Sequence, residues 1–83
     1  MLAQHNRFGD GEIPPSYSET LKLAREEIGL GHYLHADELL SGIAETGRDD
    51  PAFFRLLGML NEAEGRPFAA KLFYMHAMLG HRD

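Results

Sequence analysis

Residues 30–45, LGHYLHADELLSGIAE, lie over residues 64–79, EGRPFAAKLFYMHAML, without a gap. Gly31 then meets Gly65, Ala36 meets Ala70, Leu40 meets Tyr74 and Ile43 meets Ala77, at a constant offset of 34 residues. Carried backwards, the offset sets Thr20, Leu23 and Ala24 over Phe54, Leu57 and Gly58. Each half of the chain therefore reads as a helix, a glycine turn and a second helix. The matched small residues have a packing reason: Gly58 and Ala70 let two helices approach closely, and Tyr74 and Phe54 fill the space beside them.

Local punctuation agrees with this division. Ser16 stands three residues before Glu19, the spacing of a capping box, and the run that follows stops at Gly29 and Gly31. Gly47 suits the residue just past a helix end, Asp50 can cap, and Pro51 suits a first helical position. The last run opens on Pro67 and closes on Gly80. These signals predict helices near residues 18–30, 33–46, 51–64 and 67–79 and no strand, an all-α fold of two stacked helix-turn-helix hairpins. Residues 1–16 read as an irregular arm with Leu2, Phe8 and Ile13 as its sizeable apolar groups, and residues 17–50 and 51–83 as the two repeats.

A 34-residue helix-turn-helix period resembles the tetratricopeptide repeat. The family's order of a large aromatic, Leu-Gly, Ala, a large apolar residue and Ala is similar to Phe54, Leu57, Gly58, Ala70, Tyr74 and Ala77 of the second repeat. The first repeat matches at Leu23, Ala24, Ala36, Leu40 and Ile43, but Thr20 replaces the aromatic, Glu27 the usual tyrosine, and Arg48 and Arg82 stand where each repeat would close on proline. The resemblance implies a peptide groove lined by the first helix of each hairpin, here Leu21, Arg25 and Ile28 with Arg55, Met59 and Glu62. Arg25 and Arg55 would take a carboxylate there, or pair with Glu26 or Glu62. The chain departs from the subset of the family that clamps a carboxylate with Lys and Asn. Small size, acidity and repeat type also make it look like the helper chaperones of bacterial type III secretion systems.

Composition narrows the function classes. A chain of 83 residues without cysteine has neither disulfides nor a thiolate metal site to support its small core, so it depends on helix packing or on association. A formal charge of −5 argues against a nucleic-acid backbone as partner. The acidity is uneven: residues 17–50 carry eight acidic and three basic side chains, residues 51–83 three and four. The opening residues lack the apolar core of a signal peptide, and no run approaches the ~18 apolar residues of a membrane span. The expectation is a cytoplasmic protein with no membrane partner.

The last helix carries two apolar stripes. Ala70, Tyr74 and Ala77 fall on one face, which the resemblance implies packs on the first helix of the hairpin, while Phe68, Leu72, Met75 and Leu79 fall on the opposite face. The equivalent positions of the first repeat, Leu34, Glu38, Ser41 and Glu45, are mostly polar. The arm over residues 1–16 has too few apolar groups to cover the second stripe well by folding back, so two readings stay open: the stripe is an interface with another protein or with a second copy, or this helix is the centre of a bundle.

Other candidate chemistry is thin. His32 and His35 lie one turn apart, with His76 and His81 near the C-terminus, but no third ligand is placed by the sequence and no metal or other cofactor is expected. GDGE at 9–12 lacks the oxygen ligands of a calcium loop and reads as a turn. Ser16, Ser18 and Ser41 have no accompanying His and carboxylate pattern, so catalysis is not expected. The expected function is an adaptor or chaperone that binds an apolar helix or peptide of another protein; the alternative is a homo-oligomerisation module without a peptide client.

Overall fold

A computed structural model describes residues 15–79; residues 1–14 of the arm expected over 1–16, GDGE among them, and Gly80, His81 and Arg82 lie outside that range. Among the described residues there are five helices and no strand: α1 (Tyr17–Gly29), α2 (Tyr33–Gly42), α3 (Ala44–Gly47), α4 (Pro51–Ala63) and α5 (Pro67–Leu79). The chain is all-α and built of two helical hairpins, α1 with α2 and α4 with α5; α4 packs against both α1 and α2.

The two hairpin turns are copies at the atomic level. Gly31 and Gly65 hold φ of 82° and 81°, a left-handed conformation that costs any residue with a Cβ. Gly31 N–H donates to Ile28 O and Gly65 N–H to Glu62 O, both at 3.1 Å, while His32 N–H to Glu27 O and Arg66 N–H to Asn61 O are both 2.8 Å. This is the Schellman closure, which satisfies carbonyls that a helix end would otherwise leave bare. The side chains repeat the link: Glu27 Oε1 lies 2.7 Å from His32 Nδ1, and Asn61 Oδ1 accepts from Arg66 Nε at 3.0 Å.

The helix starts are set as the sequence suggests. Ser16 Oγ accepts from Glu19 N–H at 3.1 Å and Glu19 Oε1 accepts from Ser16 N–H at 3.0 Å, the reciprocal capping box. Asp50 caps α4 by accepting from Ala52 N–H at 3.0 Å, with Pro51 following it. The second carboxylate oxygen of Asp50 accepts the Tyr17 hydroxyl at 2.6 Å, joining the first turns of α1 and α4.

The core lies where α1, α2 and α4 converge: Ala24, Ile28, Ala36, Leu40, Phe53, Leu56 and Leu60 are buried together. Ala24 and Ala36 are wholly inaccessible, so α1 and α2 meet on small residues. Gly58 and Ala70 repeat that contact between α4 and α5, both buried. The size exchange within the pair is compensated: Leu40 accompanies Ala24, whereas Tyr74 accompanies Gly58, and a Cβ on Gly58 would stand 2.6 Å from Tyr74 Cε1.

Two expectations need correction. The helix expected over 33–46 breaks at Ile43, where φ is −117° and ψ 14° and the N–H reaches back only to Leu40 O, at 3.1 Å. Gly42, a poor helix former, precedes the break, whereas its counterpart His76 lies inside the unbroken α5. The second correction concerns Gly47, which is no left-handed cap. It ends α3 and is buried because its bare Cα faces the Phe53 ring, where a Cβ would come within 2.5 Å of Cγ.

Candidate interaction surfaces

Two surfaces stand apart from the core. The first is a recess of about 320 Å³ between α1 and α4, lined by Leu21, Lys22, Arg25, Ala52, Arg55, Leu56 and Met59. Four of the six residues expected to line a groove, Leu21, Arg25, Arg55 and Met59, meet in it. Because the helices are 34 residues apart in register, Leu21 is the counterpart of Arg55 and Arg25 of Met59, so each equivalent pair supplies one cation and one apolar group. With Lys22 the recess gathers three cations over an apolar floor in an acidic chain.

Ile28 and Glu62, also expected there, are not part of it. On α1 the buried face is Thr20, Ala24 and Ile28, successive at four residues, and Ile28 closes the core under α4. The equivalent face of α4 is Phe54, Gly58 and Glu62, which addresses α5: Phe54 stacks on Phe73 with ring centres 6.4 Å apart, and Tyr74 donates its hydroxyl to Glu62 Oε1 at 2.9 Å. The two positions are 34 residues apart and so hold the same place in the two hairpins. Burial and this bond to Glu62 also push the Tyr74 hydroxyl pKa upward.

Neither arginine pairs as expected with Glu26 or Glu62. Among the described residues Lys22, Arg25 and Arg55 have no carboxylate within 4.0 Å, whereas Arg48 meets Glu45 at 3.3 Å and Arg66 meets Glu64. The residues that sequence reasoning missed are Lys22, Ala52 and Leu56. Lys22 could have been found, since it lies one turn from Arg25; the seating of α4 on α1 that recruits Ala52 and Leu56 has no sequence signature.

The second surface is the outer face of α5. Phe68, Leu72, Met75 and Leu79 are exposed at 83, 65, 46 and 64%, and Met78 beside them at 72%. On the far side of the same helix Ala70 and Ala77 are buried against α4. The helix is thus peripheral, which removes the bundle-centre reading. The corresponding face of the first hairpin, Leu34, Glu38, Ser41 and Glu45, is also exposed, but three of its four side chains are polar.

His32 and His35 do not form an open ligand pair. Both Nδ1 atoms address Glu27 Oε1, at 2.7 and 3.2 Å, and the hydrogen bonds from His35 and then His32 hold the Glu27 carboxyl below its usual range. Among the described residues no group of three His, Asp or Glu side chains is placed to hold a metal ion, and no buried side-chain polar atom lacks a partner. Nor is any described helix long and apolar enough to cross a membrane. Comparison with protein-family models, with curated proteins and with solved structures finds no match.

Proposed function

We propose that the protein is an interaction adaptor of the tetratricopeptide type, without enzymatic activity, that takes a segment of a partner protein into the groove between α1 and α4. The observation that carries this reading is the recess itself: Lys22, Arg25 and Arg55, unpaired among the described residues, surround Leu21, Leu56 and Met59. Such a lining suits a segment in which Asp or Glu alternates with Leu, Ile or Phe. Its carboxylates would bind the guanidinium forks and its apolar groups would rest on Met59 and Leu21. A chaperone that shields an export substrate of a secretion system is the narrower form of this reading, with the cytoplasm as its place of action.

Screening the full chain against displayed peptides, followed by titration of the enriched sequences, tests it. Enrichment of acidic-apolar peptides, with at least a tenfold loss of binding in Arg25→Glu/Arg55→Glu, is the expected outcome; binding indifferent to that reversal removes the groove from consideration. The bare face of α5 favours a second reading, a module whose task is self-association, with no peptide client.

A further inference from the structure

We propose that α5 is a self-recognition helix: two copies of the chain pair antiparallel through Phe68, Leu72, Met75 and Leu79, about a two-fold axis between Leu72 and Met75. The proposal deepens the self-association reading and does not rest on the groove, none of whose lining residues belongs to α5.

The spacing identifies a helix as the occupant. Positions 68, 72, 75 and 79 follow one another at four, three and four residues, the seam along which two helices interlock. Read antiparallel, Phe68 meets Leu79 of the partner copy and Leu72 meets Met75, so all four layers are apolar and filled by unlike shapes. A parallel pair would instead stack Phe68 on Phe68 and align the two helix dipoles.

Charge makes the occupant a second copy. Every other helix carries acid: Glu19, Glu26 and Glu27 on α1, Asp37 and Glu38 on α2, Glu45 on α3, Glu62 on α4. Helix α5 carries none, and Lys71 is its only formal charge. Two chains of net charge −5 can therefore meet there without opposing carboxylates. Lys71 and Met78 share one edge of the seam, and the two-fold operation sets Lys71 against Met78 of the other copy, so the single cation never meets its own image.

Area agrees. The four seam side chains and Met78 leave roughly 600 Å² bare per copy, so pairing hides at most about 1,200 Å² in total, the lower edge of specific interfaces. That extent predicts a dimer that dissociates on dilution. Because the groove stays outside the seam, the dimer presents two grooves.

Sedimentation velocity of the full chain from about 1 to about 200 µM, a range that brackets a small interface, tests the proposal. The wild type is expected to move from one to two copies of 9.3 kDa across the series. Leu72→Glu/Met75→Glu should stay monomeric throughout with unchanged helical circular dichroism. Orientation is read from the half-exposed edge: Met78→Glu, opposite Lys71, should tighten the dimer and Met78→Lys loosen it, each by about two- to threefold as for a surface ion pair. A wild type that is monomeric throughout overturns the proposal, as do a double variant that still dimerises or one that loses its helices. Position-78 variants that shift the same way overturn the antiparallel arrangement. Peptide binding by the monomeric double variant, and dimerisation by Arg25→Glu/Arg55→Glu, separate failure of this seam from failure of the groove.

Discussion

The two hairpins differ least where the backbone decides and most where solvent does. Their turns agree to 1° in φ at Gly31 and Gly65 and to within 0.1 Å in the closing hydrogen bonds. Inside each hairpin the fit is conserved as a sum: Ala24 with Leu40 in one, Gly58 with Tyr74 in the other. Outside, nothing of the kind holds, since Glu38, Ser41 and Glu45 become Leu72, Met75 and Leu79. A turn that needs φ > 0 and a close helix pair tolerate few sequences, whereas an outer face constrains only what it touches. The divergence at α5 is therefore the most informative difference between the two hairpins.

The interior half of that comparison is the easiest to break. Gly58→Leu drives a branched side chain into the Tyr74 ring, and we expect a loss of about 2–3 kcal/mol in chemical denaturation. Gly58→Ala with Tyr74→Leu recreates the first hairpin's pair. The double variant should recover about 1–2 kcal/mol relative to the sum of the single changes, and strict additivity would show that the two residues are not one packing unit. At the turns, Gly31→Ala and Gly65→Ala should each cost about 1–2 kcal/mol, because both force a Cβ into the left-handed region with open space around it. Thermal melts that separate the two by more than about 0.5 kcal/mol, the scatter of unrelated surface changes, would show that the turns are copies in geometry only.

The smallest effect concerns the link between hairpins. Tyr17→Phe removes the hydroxyl from Asp50 and should cost about 1 kcal/mol at neutral pH. Burial, the hydrogen bond to Asp50 and that carboxylate's charge all push the Tyr17 pKa up from its ordinary value near 10. The folded state therefore holds the proton more tightly than the unfolded one. The contribution of Tyr17 is whole below about pH 10 and is lost as the pH rises through the folded value. Melts of wild type and Tyr17→Phe at pH 8 and above pH 10 should converge on the alkaline side; a constant gap would exclude the hydroxyl as the source.

Much of this architecture is legible in the sequence because its determinants are local. Ser16 with Glu19, Asp50 with Pro51, and the two left-handed glycines each act within a few residues, and they bound α1, α4 and the turns. The outward placement of Phe68, Leu72, Met75 and Leu79 follows from the opposite, alanine-bearing face of the same helix. Azimuth between helices is harder to read. The family resemblance places Ile28 and Glu62 in the groove, and only the seating of α4 sets one in the core and the other against Tyr74. Gly42 weakens α2 just before the break at Ile43, but the close approach of Gly47 to the Phe53 ring is a contact that propensity alone does not announce.

Asp50 gives the two hairpins a shared fate. One carboxylate oxygen holds Ala52 N–H at the start of α4 and the other holds Tyr17 from the first turn of α1, so neither helix start can fray without loosening the other. In repeat proteins cooperativity resides in the coupling between neighbours as well as in each unit's own stability. Here a single side chain bridges two units at their helix starts, and amide exchange at the start of α1 and of α4 should follow one opening event in place of two.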